Sequence, residues 1–262
     1  MLARIRLSAF GGVNYLSRGF STTNAAAKAA GAAAAASRKR IAVVLAGSGV
    51  YDGSEITEAV STLIHLGAGH HQVHMFAPDK LQMHTVNHLT GEEMPEKRNV
   101  LVESARIARG HVEALTKLQD ANDFDALVIP GGFGVAKNLS SFAIDAESMK
   151  VDDEVVRVVE SFHAAKKPIG LCCIAPTLAA KLIPGCELTV GMSTGSEDVW
   201  PYQGVAMVCE TMGAVHFDTD IDGCHKDTLN KLVTSCAYMK NASAAEVHAS
   251  VGRMIAGVLE LA

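Results

Sequence analysis

The sequence predicts one α/β domain built on a mostly parallel sheet with helices on both faces. From Ile41 onward, apolar runs of strand length alternate with segments of helical periodicity, which is the pattern of successive βα units. The chain has 262 residues, of which 48% are apolar and 19% charged, enough material for a sizeable core. In this fold class the functional site lies at the carboxyl ends of the strands.

The elements follow from apolar runs bounded by Gly or Pro for strands, and from apolar residues at three- and four-residue spacing for helices. In chain order we predict a strand at 41–46, a helix at 54–66, strands at 72–77 and 126–129, a helix around 155–162, a strand at 168–172, a helix at about 174–182, a strand at 187–190, a helix near 203–212, a strand at 229–234 and a helix from about 244. The helix at 54–66 carries an apolar face formed by Ile56, Val60, Leu63 and Ile64, and Glu58 is interpreted as a carboxylate within that face.

Residues 1–40 are predicted to be a mitochondrial transit peptide followed by a low-complexity spacer, and residues 41–262 the folded domain. The leader contains Arg, Ser and Thr but no acidic residue, since the first acidic residue is Asp52. Ten of the twelve residues 25–36 are alanine. A disordered cytosolic tail is the alternative, and the composition favours import into the mitochondrial matrix.

Charge and composition exclude several classes of partner. Seven of the 23 basic residues precede residue 41, so the remainder carries 16 basic and 28 acidic residues, a formal charge of −12. Such an acidic body repels phosphate backbones, so no nucleic acid is expected. No apolar run is long enough to predict a membrane span, and six cysteines are too few for a disulfide framework.

The first chemistry-bearing loop is Gly47-Ser-Gly-Val-Tyr-Asp-Gly53. It departs from a dinucleotide-binding loop because Asp52 stands where the third glycine belongs, and Asp52 and Glu55 would repel a pyrophosphate. Both carboxylates also suit the start of a helix. Glu58 lies a turn further on, where that explanation weakens.

The second loop, Pro130-Gly-Gly-Phe-Gly134, follows a predicted strand. Its paired glycines let backbone N–H groups face outward, as an oxyanion site requires, although a tight strand–helix turn explains them equally well. A Walker A motif is excluded because no Gly-Lys-Ser/Thr follows.

The third loop is Gly170-Leu-Cys-Cys-Ile-Ala-Pro176, where a strand meets a helix. Cys173 occupies the turn, where the helix dipole and free N–H groups favour a thiolate nucleophile. Cys172 belongs to the strand, so it is either a core residue or a competing thiol. A Cys-Cys metal pair is disfavoured because neighbouring strand residues point to opposite faces. No metal site is predicted.

The sequences of these loops resemble the ThiJ/PfpI superfamily of class I glutamine amidotransferase-like proteins. Four further strings share the resemblance, namely Ala136-Lys-Asn-Leu139, Gly49-Val-Tyr-Asp-Gly-Ser-Glu55, Phe76-Ala-Pro-Asp79 and Lys97-Arg-Asn-Val-Leu101. Within the superfamily they are most similar to the ElbB-like branch, which includes glyoxalase-like and mitochondrial proteins. The resemblance covers about residues 41–262. It implies a flavodoxin-like three-layer sandwich with a cysteine nucleophile at a sharp strand–helix elbow, and no cofactor.

The resemblance also implies roles for individual residues. Cys173 matches the nucleophile, and Glu58 the carboxyl group that hydrogen-bonds to it, with Glu55 as the fallback acid. Gly132 and the amide of Ile174 match the oxyanion donors. Asn138 and Tyr238 are candidate pocket residues.

The chain departs from the protease-like members of the superfamily in its histidines. Ile174 stands where many of them have His after the nucleophile, and Val190-Gly-Met192 stands where a further His lies. No Cys-His-Asp/Glu triad is visible, which argues against peptidase or glutaminase activity. We expect packing or surface roles for His70, His71, His74, His84 and His88.

Two functional hypotheses remain. The first is a cofactor-free glyoxalase/deglycase-like matrix enzyme in which Cys173 attacks a small aldehyde or a glycated substrate. The second is a non-catalytic mitochondrial homeostasis or redox-sensing protein that keeps the cysteine elbow. The sequence does not decide whether the chain is an enzyme, nor whether it forms a homo-oligomer.

Overall fold

The computed structural model describes residues 38–262, and strands occur throughout this range. They are β1 (Arg40–Val44), β2 (Gln72–Ala77), β3 (Thr85–Val86), β4 (Glu93–Met94), β5 (Val112–Ala114), β6 (Ala126–Ile129), β7 (Ile169–Cys172), β8 (Glu187–Leu188), β9 (Val215–His216), β10 (His225–Asp227) and β11 (Leu232–Ser235). The helices are α1 (Ile56–Ala68), α2 (Val100–Ile107), α3 (Phe142–Asp145), α4 (Asp153–Ala164), α5 (Pro176–Leu182), α6 (Gly204–Thr211) and α7 (Ala244–Leu261), with a π-helix at Val135–Leu139. Short 3₁₀ turns lie at Leu115–Lys117, Ala121–Asp123, Ala146–Ser148 and Ala237–Met239.

Seven strands form the central sheet in the order β10–β11–β7–β6–β1–β2–β5. Every neighbouring pair is parallel except β10 and β11, which are antiparallel. The strands β6, β7 and β11 are buried along their whole length, and β1 is buried beyond Arg40. Helices cover both faces of a parallel sheet, so its central strands are continuous apolar runs. The predicted flavodoxin-like three-layer α/β fold is confirmed.

The helix pair α1 and α7 packs together, and α7 also lies on β7 and β11. Gly170 of β7 permits this close approach, because a Cβ there would be 2.7 Å from Val258 of α7. The helix α4 packs on β6 and β7 through Val155, Val158 and Phe162, all of which are fully buried. These two layers of helices and the sheet between them form one hydrophobic core.

Most predicted elements are present, and two strands differ from their predicted extent. The strand predicted at 187–190 is the two-residue β8, which lies outside the main sheet and pairs with β9. The strand predicted at 229–234 begins only at Leu232, after Lys231 turns the chain with φ +52°. The elements without a prediction include the hairpin β3–β4, the helices α2 and α3, the strand β9 and the short edge strands β5 and β10, whose sequences are brief or polar.

The interpretation of α1 was wrong, because its apolar stripe faces outward. Ile56, Val60 and Ile64 are 43%, 39% and 52% exposed, whereas Glu58 on the opposite face is fully buried. That opposite face lies against α7 and the site, and it is lined by Glu58, Ala59, Ser61, Thr62 and Leu66. Polar side chains are tolerated there because they are bonded: Ser61 pairs with His248 of α7, at 3.1 Å between Oγ and Nδ1.

Residues 1–37 of the predicted transit peptide lie outside the described residues. Arg40 pairs with Gln72 in the parallel ladder of β1 and β2, so the ordered strand starts one residue before the predicted domain boundary. Between residues 38 and 262, no helix combines the length and apolarity needed to cross a bilayer.

Candidate functional site

The candidate site lies at the carboxyl edge of the sheet, where the loops after β1, β6, β7 and β11 meet. These strands are neighbours in the order β11–β7–β6–β1, so the three loops selected from the sequence lie side by side. The first strand, β1, lies inside the sheet, with β2 on one side and β6 on the other, so the order of strands reverses at β1. Ligand sites of open α/β sheets lie at such a reversal of strand order.

Cys173 stands at a sharp turn between β7 and α5. Its φ of +60° is a left-handed conformation that a residue with a Cβ adopts only when its surroundings enforce it. The turn is held by the Cys173 N–H, which donates to Ser235 of β11 at 3.0 Å, and it ends at Pro176, the first residue of α5. Cys173 retains 8% exposure, whereas Cys172 is completely buried.

The two cysteines do not point to opposite sides, as strand alternation had suggested. The Cys172 sulfur lies 3.8 Å from Glu58 Oε2, and Cys173 Cβ and Glu58 Oε2 both adjoin Gly131, at 2.4 and 2.6 Å from a Cβ built there. The left-handed turn at Cys173 ends the strand and with it the alternation of side chains. Among residues 38–262, no group of three or more His, Cys, Asp or Glu is arranged to hold a metal ion.

Glu58 is fixed by backbone donors from two other loops. The Gly131 N–H donates to its Oε2 at 2.9 Å, and the Tyr238 N–H donates to its Oε1 at 3.2 Å. Gly131 must be glycine, because a Cβ there would lie 2.4 Å from Cys173 Cβ and 2.6 Å from Glu58 Oε2. Glu55, the fallback acid, caps α1 instead, with its Oε2 accepting the Glu58 N–H at 2.8 Å.

Burial, followed by the nearby charge of Glu55, raises the pKa of Glu58 from 4.5 to about 8. The hydrogen bonds from Tyr238, Cys173 and Gly131 act in the opposite direction but do not overcome these two effects. Glu58 is therefore a protonated carboxylic acid at neutral pH.

Burial is also the main reason why the pKa of Cys173 is raised well above its usual value, and the charge of Glu58 adds to it. The N–H groups of Gly132 and Ile174 lower this pKa by a smaller amount. The expectation that the elbow favours a thiolate was therefore wrong: loss of solvent outweighs the helix terminus and the N–H donors. The resting pair is a thiol beside a carboxylic acid.

Gly132 and Ile174, the predicted oxyanion donors, line the same cavity as Cys173. Gly132 adopts φ +98°, and a Cβ there would lie 2.4 Å from both the Glu55 nitrogen and the Gly53 oxygen. No other residue fits this position. An oxyanion formed on a carbonyl bonded to Cys173 would need such N–H donors, and their assignment to Gly132 and Ile174 stays a prediction.

Cys173 opens into a cavity of about 850 Å³. Its walls carry several aromatic side chains from separate parts of the chain, namely Tyr51, Phe133, Phe142, Tyr202 and Tyr238. The pocket position predicted for Tyr238 is thus confirmed. Tyr202 had not been singled out, because no local pattern links residue 202 to the cysteine loop.

Asn138 does not line this cavity, in contrast to the prediction. It is 1% exposed in the π-helix, and its amide donates to the carbonyl oxygens of Ala46 and Asp52 at 2.9 and 2.8 Å. Its Oδ1 accepts the Met83 N–H at 3.0 Å. Asn138 therefore ties the loop after β1 to the segment before β3, and it has no free group for a ligand.

No histidine is among the residues that line the cavity within the described chain. His88 accepts the Tyr51 N–H at 3.2 Å through Nε2, which also lies 3.9 Å from Asp52 Oδ1, while His84 lies 3.4 Å from Glu93. Both His84 and His88 therefore have a carboxylate neighbour, which their spacing in the sequence did not reveal. The bond from Tyr51 to His88 also holds the loop after β1 in place.

The comparisons with known proteins agree with this architecture. The model of the DJ-1/PfpI family matches residues 39–241. The chain is 52% identical over 225 residues to the ES1 protein homolog, mitochondrial, of Rattus norvegicus, covering 86% of this chain and 84% of the relative. It is 46% identical over 262 residues to the glutamine amidotransferase-like class 1 domain-containing protein 3, mitochondrial, of Homo sapiens, covering 100% and 97%.

A solved structure is similar at the level of both sequence and fold. The isoprenoid biosynthesis protein with amidotransferase-like domain from Ehrlichia chaffeensis superposes with a TM-score of 0.75 at 38% identity, covering 84% of this chain and 99% of that protein. The residues that the family model matches include the central sheet and the cysteine elbow. The chain belongs to the DJ-1/PfpI family.

Proposed function

We propose that this chain is a cofactor-free, glyoxalase/deglycase-like enzyme of mitochondria that uses Cys173 as a nucleophile on reactive carbonyl compounds. The observation that carries the proposal is the neutral Cys173–Glu58 pair. It lies beside the N–H groups of Gly132 and Ile174 and opens into a cavity. These are the nucleophile, the acid and the oxyanion donors that addition to a carbonyl needs.

In the first step the Cys173 sulfur bonds to the aldehyde carbon while the carbonyl π bond opens. Glu58 donates its proton to the carbonyl oxygen and takes up the thiol proton on its other oxygen, so the carboxylic acid is regenerated. The product is a hemithioacetal, and Gly132 and Ile174 stabilise the negative charge that develops on its oxygen. This route needs no preformed thiolate, in keeping with the raised pKa of Cys173.

For an α-oxoaldehyde, Glu58 then removes the proton from the hemithioacetal carbon and donates its own to the neighbouring carbonyl oxygen. The reverse pair of transfers, in which the former aldehyde oxygen gives up its proton and the neighbouring carbon gains one, leaves an α-hydroxy thioester. Water cleaves its carbon–sulfur bond, which releases an α-hydroxy acid and restores the thiol. With a glycated amine, the thiol displaces the amine instead, and the thiol proton goes to the departing nitrogen.

The redox-sensor hypothesis is less well supported. Oxidation of a cysteine proceeds through the thiolate, and burial raises the pKa of Cys173. A peptidase or glutaminase is disfavoured because no histidine from residues 38–262 lines the cavity.

Turnover of glyoxal by the purified chain tests the proposal. We expect glycolate to form, and Cys173→Ala to abolish its formation without changing the thermal melt. Cys224→Ala, which alters a half-buried cysteine away from the site, is the matched control. Glycolate formation by Cys173→Ala at the rate of the unaltered chain would overturn the proposal.

The location we propose is the mitochondrial matrix. The relatives from rat and human are named as mitochondrial proteins, and the acid-free leader of this chain favours import. A fusion of residues 1–40 to a reporter should reach the matrix and be shortened there. A full-length reporter that stays in the cytosol would refute this role of the leader.

A further inference from the structure

The cavity is far larger than a two-carbon dialdehyde requires. Its volume of about 850 Å³ lies in the range that proteins use for ligands of ten or more heavy atoms, roughly 300–1,000 Å³. Only a small part of it is needed around the Cys173 sulfur. The rest of the cavity must therefore be filled by something attached to the carbonyl group, or by water.

The residues closest in sequence to the reacting groups are apolar. Phe133 follows the oxyanion donor Gly132, and Ile174 follows Cys173, and both line the cavity. The Phe133 ring meets the Tyr202 ring edge to face, with 6.2 Å between centroids and 74° between planes. A carbonyl group bonded to Cys173 would thus carry its substituent against an aromatic and aliphatic wall.

Two of the aromatic rings in this wall are incompletely covered. Tyr51 and Tyr202 are 40% and 41% exposed although both line the cavity. Tyr202 lines the same cavity as Cys173, and burial raises the pKa of its phenol. An apolar ligand group would cover these rings and remove their surface from water, which favours binding.

The charged residues around the cavity do not suit an anion. Lys240 forms an ion pair with Asp220, whereas Lys137 donates to the Tyr51 carbonyl at 2.9 Å and keeps its positive charge. The acidic residues that line the cavity outnumber these two lysines, namely Glu55, Glu197 and Asp198. A carboxylate or phosphate on the ligand would therefore meet more negative than positive charge in the lining.

From the size, the wall and the charges together, we infer that the site takes neutral carbonyl compounds that carry an aromatic or branched apolar group, in preference to short or anionic ones. This inference rests on the proposed function for its chemistry, because it names the substrate class of the same site. Phe133, Tyr202 and Val205 are the residues that determine the preference, since they are apolar or aromatic members of the cavity lining.

Binding can be tested without turnover. In Cys173→Ala protein, titration calorimetry with acetophenone, benzoate and acetone compares a neutral aryl ketone with an anion of the same size and with a short ketone. We expect acetophenone to bind at least about tenfold more tightly than either of the others. Equal binding of acetophenone and acetone, or tighter binding of benzoate, would overturn the inference.

Turnover provides the second measurement. The unaltered chain should convert phenylglyoxal with a kcat/KM at least about tenfold above that for methylglyoxal. Phe133→Ala and Val205→Ala should each reduce this ratio. Met207→Ala, on the same helix as Val205 but 71% exposed and outside the cavity, should leave it unchanged.

The two proposals fail differently. Equal conversion of both ketoaldehydes, with weak acetophenone binding, would refute the substrate class and leave the cysteine chemistry intact. Tight acetophenone binding without conversion of any ketoaldehyde would support the ligand class and refute the proposed reaction.

Discussion

Replacing Glu58 with glutamine should remove a large pH dependence from the stability of this protein. In the folded chain the pKa of Glu58 is raised from 4.5 to about 8 because the group is completely buried beside Glu55. Below pH 4.5 both the folded and the unfolded chain hold the proton, and folding pays no penalty. Between pH 4.5 and 8 the unfolded chain releases the proton while the folded chain keeps it.

The free energy of unfolding therefore falls as the pH rises through this window. Each pH unit costs about 1.4 kcal/mol, so the full difference between the two pKa values is worth about 5 kcal/mol. Most of that loss, roughly 3–4 kcal/mol, falls between pH 5 and pH 8. Above pH 8 the folded chain ionises too, and the loss levels off.

Glu58→Gln has no titrating group and should lack this loss. It has a constant cost instead, because Gly131 and Tyr238 both donate to carboxyl oxygens and an amide offers only one. One unpaired buried N–H costs about 1–3 kcal/mol at every pH. Glu58→Gln should therefore be less stable than the unaltered chain at pH 5, and the difference should close or reverse by pH 8.

Urea unfolding of both proteins at pH 5, 6, 7 and 8 measures this difference. Glu160→Gln, on the exposed face of α4, is the matched control and should follow the unaltered chain. Other groups titrate equally in all three proteins and cancel in the comparison. A difference between Glu58→Gln and the unaltered chain that stays constant across this range would refute the assignment of a protonated, buried Glu58.

Three further predictions concern the residues around this carboxyl group. A limiting amount of iodoacetamide should modify Cys173 before Cys172, because only Cys173 lines the cavity, and mass mapping that finds Cys172 labelled first would contradict the elbow. In chemical denaturation, Gly131→Ala should lower the free energy of unfolding by about 1–3 kcal/mol or more, and it should also prevent labelling of Cys173, because the added Cβ would overlap that of the cysteine. The control Gly67→Ala, whose added Cβ has no atom within 4 Å, should raise the free energy of unfolding by about 0.5–1 kcal/mol. In the same assay, Asn138→Ala should lower the free energy of unfolding by about 2–4 kcal/mol, because its buried backbone partners lose their hydrogen bonds. A loss below about 0.5 kcal/mol would show that Asn138 does not hold the loop after β1.

Much of the fold could be predicted from the sequence because its central strands are continuous apolar runs. A parallel sheet covered on both faces buries every residue of such strands, so β1, β6 and β7 stand out without any alternation pattern. The three loops after them could be placed together for the same reason, since parallel strands all end at one edge. The short edge strands β5 and β10 lacked this signal.

Local pattern was misleading where burial depends on a distant partner. The apolar stripe of α1 suggested its buried side, yet the tertiary structure covers the opposite side with α7 and the site. Asn138 has the chemistry of a binding residue, and its use as a tie between two loops depends on carbonyl groups at Ala46 and Asp52.

By itself the sequence determined the sheet, the elbow at Cys173 and the meeting of three loops at one edge, because these follow from the order of residues along each strand and turn. The roles of Glu58, in helix α1, and of Gly132 came from the resemblance to the family. The charge state of Cys173 was decided only by the tertiary structure. Whether Glu58 and Cys173 carry charge depends on how much water the whole fold removes from them, and on donors from Gly131 and Tyr238 far along the chain. Desolvation is a property of the assembled protein and has no local pattern in the sequence.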